Sequence, residues 1–130
     1  MFKYFFISFS IFCSSQTALD NTNINAAVDM WVSDQLTAET TYGHISNWDT
    51  SSITDMQELF KNHYLFNDDI SQWNVSNVIN MREMFFGCSE FNQDISNWDV
   101  SNLTNMEYMF YGCIYFNQNI ASWDVSNVTN

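Results

Sequence analysis

Hydrophobic and polar positions along this chain recur with one long period. Trp48, Trp73, Trp98 and Trp123 are each 25 residues apart. Met56, Met81 and Met106 keep that spacing, as do Phe60, Phe85 and Phe110, and Phe66, Phe91 and Phe116. The unit reads I-S-x-W-D-V-S-N-V-T-N-M-x-x-M-F-x-G-C-x-x-F-N-x-D, in register and without insertion. Self-similarity at a fixed period of about 20 to 50 residues predicts a solenoid, in which each repeat buries its apolar face against its neighbours. Inside one unit the pattern changes. Trp98 and Val100 alternate with Asn97 and Asp99, which predicts a short strand with one apolar face. Ser101-Asn102 is turn chemistry. Leu103, Met106, Met109 and Phe110 then follow at spacings of three, three and one, which predicts one or two helical turns capped by Thr104 or Asn105. Gly87 and Gly112 are placed to end those turns in a left-handed conformation. The predicted fold class is an α/β repeat solenoid, with short parallel strands stacked about 4.8 Å apart and short helical turns between them.

The chain divides into three stretches. Residues 1–18 read as a secretory signal peptide, with Lys3 as the basic start, an apolar run from Tyr4 to Cys13, and Ser15 or Ala18 as cleavage positions. Residues 19–45 break the repeat. Ile24, Ala27, Val28 and Trp31 fall on one helical face, with Asn23 before them as a candidate cap, so this stretch predicts a helical N-terminal cap followed by a connector over Thr37 to Gly43. Residues 46–130 hold three full repeats and a truncated fourth. The expectation is a piece of a longer array, or a chain that self-associates through the uncovered edge at Trp123–Val125.

The repeat resembles that of the BspA-type leucine-rich repeat surface proteins, in the branch built on F-N-x-D-I-S-x-W-D-V-S-N-V-T-N-M-x-x-M-F. The likeness covers residues from about 24 to 130. Thr50, Asn74, Ile79 and the pair Asn62-His63 depart from the consensus. The resemblance implies a leucine-rich-repeat-like solenoid, secreted or on the cell surface, that serves adhesion or binding, with no catalytic site to carry across.

Charge narrows the partners. Without the leader, Lys61 and Arg82 face all 15 acidic residues, thirteen net negative charges. That balance excludes a nucleic-acid backbone and disfavours anionic lipid. His44 and His63 form no recognisable triad, and neither a phosphate-binding loop nor H-E-x-x-H is present, so no enzyme and no cofactor is expected. The paired Asp68-Asp69 reads as a solvated turn.

Three sets of residues remain as candidates. Asn47, Gln72, Asn97 and Ser122 form one outward column, and Asp49, Asn74, Asp99 and Asp124 another. Three readings of these columns stay open: a solvated face, a calcium ion between rungs, or a surface for a protein or glycan ligand. Cys88 and Cys113 occupy equivalent positions, close enough for either a buried thiol ladder or a disulfide, whereas zinc lacks its local spacing. Asn74, Asn102 and Asn127 open glycosylation sequons. Asn67, Asn92 and Asn117 read as a structural ladder. The functional expectation is a non-catalytic adhesion or binding module, and its competitor is a passive spacer segment of a surface array.

Overall fold

The computed structural model describes residues 15–130, so most of the signal-peptide reading lies outside the described residues. Helix α1 runs Ile24–Ser33 and helix α2 Gln35–Tyr42, and a 3-10 turn covers Ile45–Asn47. Asp34 separates the helices and caps α2, accepting the Thr37 backbone N–H at 3.2 Å and the Thr37 hydroxyl at 2.7 Å. Asn23 does not cap α1 with its side chain. Its Oδ1 accepts the Asp20 N–H and its Nδ2 donates to the Ala18 carbonyl, which ties down the segment ahead of the helix. Ile24, Ala27, Val28 and Trp31 are buried in one continuous core with Ile45, Trp48 and the repeats that follow. The Thr37 to Gly43 stretch, expected as a connector, lies almost wholly in α2.

The predicted α/β solenoid is overturned. Among the described residues there is no β-strand and no sheet, and the repeats contain no α-helix. What stacks instead are 25-residue coils built from consecutive tight turns. The backbone N–H groups explain why. Those of Met56, Glu58, Phe60 and Asn62 donate to the carbonyls of Asn80, Arg82, Met84 and Phe86 on the next rung. The intervening N–H groups of Leu59, Lys61 and His63 bond backwards to Met56, Glu58 and Phe60 within their own rung. Rung two repeats the scheme toward rung three. With alternate donors used in turns, a strand ladder cannot form, and pairing reduces to isolated parallel bridges at Asp55–Asn80 and Asn80–Asn105. These bridges fall where the sequence predicted a helix start, not at the Trp-x-Val segment.

Two turns of each rung, those closed by Leu59 and His63 in the first, have a left-handed third residue. Glu58, Glu83 and Tyr108 supply it at φ 59°, 54° and 55°, and Asn62, Gly87 and Gly112 at 64°, 76° and 78°. In the Trp-x-Val segment, Trp98 and Val100 are buried while Asn97 and Asp99 are exposed, yet the Trp98 N–H turns back to Ile95. Rungs are joined there by side chains. Trp73, Trp98 and Trp123 donate their indole N–H to Ile45, Ile70 and Ile95 of the rung before, at 2.8–3.2 Å. The rings stack as columns: Phe60 on Phe85 at 5.4 Å and Phe85 on Phe110 at 5.7 Å. Phe91 lies 5.9 Å from both Phe66 and Phe116.

Candidate functional site

The outward columns are exposed, and the side chains of Asp49, Asn74, Asp99 and Asp124 are occupied by hydrogen bonds within their own turns. Asp49, Asp99 and Asp124 accept the backbone N–H of Ser51, Ser101 and Ser126 at 3.0–3.1 Å. The same serines, hydroxyl first, hold these carboxyls below the usual carboxylate range, and Asp124 slightly opposes the shift at Asp99 by its charge. Asn74 takes the same two bonds from Ser76 with its amide oxygen. Asn47, Gln72, Asn97 and Ser122 are exposed beside them, with Ser122 donating to the Ser96 carbonyl. Among the described residues no group of three or more His, Cys, Asp or Glu is placed to hold a metal ion.

The sequon asparagines differ in use. Asn102 and Asn127 donate their Nδ2 to the carbonyls of Ser76 and Ser101, both at 2.7 Å, so the nitrogen a glycan would take is already a rung-to-rung clamp. Asn67 and Asn92 each accept the N–H of their successor, Asn92 and Asn117, at 2.9 Å. Cys88 and Cys113 are free thiols in the structure. Cys88 donates its S–H to the Phe60 carbonyl and Cys113 to the Phe85 carbonyl, both at 2.9 Å. Burial, with the Cys113 thiol nearby, pushes Cys88 up to about 12, and burial pushes Cys113 to about 11.

Two surface features were not singled out in the sequence. The first is an aromatic shelf on rungs two and three. Phe86 stacks on Tyr111 at 4.9 Å, and Tyr108 meets Tyr111 edge-on at 6.0 Å. Tyr108 and Tyr111 are 56% and 62% exposed. With Glu83 they line a hollow of about 410 Å³. Beneath it lies an ion network that uses both Lys and Arg residues of the described chain. Lys61 reaches Glu83 at 2.6 Å and Glu58 at 3.3 Å. Arg82 reaches Glu58 and Glu107 at 3.3 Å each, and also pairs with Glu83. Its sequence signal was Glu58 and Glu83 one repeat apart, with cations at unlike positions that only the rung offset brings together.

The second feature is a groove of about 420 Å³ where α1 meets the first rung. Trp31 forms its floor and donates Nε1–H to Asp68 at 2.8 Å. Val32, Tyr64 and Leu65 are its exposed apolar walls, with His63 on one side. Asp68, expected to be a solvated turn residue, is half-buried here.

Fold and surface together define a stacked-repeat protein whose open hollows include the aromatic shelf and the α1 groove, and among the described residues no helix is long and apolar enough to cross a membrane. Residues 20–130 match the family described as Mycoplasma protein of unknown function, DUF285, and the chain belongs to that family. No curated protein and no solved structure matches the chain.

Proposed function

We propose that the chain is a non-catalytic binding module, secreted or displayed on a cell surface, and that the Phe86–Tyr108–Tyr111 shelf is its contact face for a glycan. The observation that carries this reading is the exposure of two tyrosine rings fixed edge to face over a hollow, beside carboxylates locked by cations. Amphipathic rings held rigidly present an apolar face with a polar tip, which suits the mixed surface of a sugar. Contiguous exposed apolar surface of this kind marks interaction sites. The likeness of the repeat to BspA-type surface proteins supports the extracellular setting. Tyr108→Ala and Tyr111→Ala in the full chain should each lower retention on a glycan array by at least tenfold while Tm stays unchanged. Equal retention by both variants would defeat the reading.

A second reading has its own support. Asp99 and Asp124 of the outward columns spend their hydrogen bonds on their own loops and Ser122 on the adjacent rung, as a passive spacer would. Tyr108→Ala and Tyr111→Ala separate the two. A spacer loses nothing but stability in these variants, whereas the shelf loses glycan with the fold intact.

A further inference from the structure

We propose that the groove between α1 and the first rung is a docking site for an arginine or lysine side chain of a protein partner, flanked by apolar residues. It is separate from the aromatic shelf and does not depend on the glycan reading. Three observations argue for this occupant. The walls are apolar and open: Leu65 is 84% exposed and Val32 45% exposed, more than stacking of the coils requires. A long basic side chain lays its aliphatic stem along such walls and keeps its head polar.

The second observation is the floor. One oxygen of Asp68 takes the Trp31 indole N–H, which orients the carboxylate, and no cation of the described residues pairs with it. Asp29 adds a second carboxylate near the groove, 3.7 Å from His63 Nε2. A preset carboxylate beside apolar surface is a receptor for a guanidinium or ammonium group.

The third is charge. Lys61 and Arg82 are both bound in the ion network of the repeats, so neither is free to fill the groove. Twelve net negative charges steer cationic partners toward the molecule and repel acidic ones.

The test uses the full chain and a pentapeptide, acetyl-Leu-Arg-Leu-Arg-Leu-amide, against the same peptide with citrulline in place of arginine. Citrulline keeps the shape and removes the charge. Affinity is read by calorimetry, and the position by the indole N–H resonance of Trp31, assigned with Trp31→Phe. The arginine peptide should shift that resonance, and the citrulline peptide should bind about tenfold more weakly or not at all. Asp68→Asn keeps an acceptor for Trp31 and should cost about tenfold, and Leu65→Ser a few-fold. Asp124→Asn, on the distant column, should change affinity less than twofold. Equal losses in Asp68→Asn and Asp124→Asn would mean diffuse charge attraction and overturn the proposal. So would equal binding of the citrulline peptide, or a Trp31 shift produced by glycans and not by the arginine peptide. None of these outcomes bears on Tyr108 or Tyr111, so failure here and failure of the glycan reading are distinguishable.

Discussion

Individual positions carry opposite backbone and side-chain demands, and the left-handed residues show it best. Gly87 sits at φ 76°, and a Cβ there would lie 2.9 Å from the Asn62 amide oxygen. The same turn position in the first rung is Asn62 itself at φ 64°, a residue type that tolerates this region. Gly87→Ala should therefore destabilise by about 1–2 kcal/mol in urea unfolding, whereas Asn62→Gly should stay within about 0.5 kcal/mol. The thiols make a second residue-scale prediction. A thiolate is the reactive form, and both groups titrate far above neutrality. At pH 8 iodoacetamide should leave Cys88 and Cys113 unmodified in the folded chain and label both in denaturant. Labelling of Cys88 ahead of Cys113 in the native state would contradict the burial order. At this scale much was legible: the periodic Trp, Phe and Gly positions announced their columns. The pairs Lys61–Glu83 and Arg82–Glu58 did not, because they cross rungs between non-equivalent positions.

At the level of the element, periodicity identified the buried face and misassigned the backbone. Alternation of Trp98 and Val100 with Asn97 and Asp99 is the pattern of a strand, but a chain of turns that swings alternate side chains inward produces it too. The three-residue spacing of Leu103, Met106 and Met109 likewise suits a helix. Here it reflects turns closed onto the third residue before, as Leu103 does to Val100 and Met109 to Met106, with Met106 itself bonded to Asn130. Side-chain spacing says which residues share a face, and only the hydrogen-bond partners distinguish a strand or helix from a run of turns. For α1 the face reading and the burial coincide at Ile24, Ala27, Val28 and Trp31. The element's stability should rest on the inter-rung columns. Trp98 is 4% exposed, and its indole N–H reaches the Ile70 carbonyl at 3.2 Å. Trp98→Ala should cost about 3–5 kcal/mol. Trp98→Phe keeps a ring in the column but leaves that carbonyl without its donor, and should cost about 1–2 kcal/mol. Equal costs for the two in chemical denaturation would show that the hydrogen bond, and not the stack, holds the rung.

For the whole molecule the question is whether repulsion or the ion network governs the response to solution conditions. Glu83 is held below its ordinary range, chiefly by the hydrogen bond from Lys61, and Lys61 is raised above its own, chiefly by the same bond. The Glu83 contribution is present above its unfolded value and is lost as pH falls through the lower folded one. The Lys61 contribution is complete below its unfolded value and is lost only as pH rises through the higher folded one. The serine- and threonine-bonded carboxyls of Asp20, Asp34, Asp49, Asp99 and Asp124 shift in the same direction as Glu83, so stability should fall on acidification and hold through neutrality. Salt acts differently. It weakens the partly exposed contacts of Lys61 and Arg82, but it also screens twelve unbalanced negative charges. At about 10 mM ionic strength the screening length is about 30 Å, long enough for those charges to repel across several rungs, and at about 150 mM it shrinks to about 8 Å. The many weak repulsions should outweigh the few attractions, because exposed ion pairs are individually worth little. Thermal unfolding at pH 7 should therefore shift upward by a few degrees between those two salt concentrations. Glu83→Gln should lower Tm at both and steepen the salt-induced rise, since it removes an attraction that salt weakens. A Tm that falls with added salt in the parent chain and becomes flat in Glu83→Gln would reverse the ranking and place the Lys61–Arg82 network, not the net charge, in control.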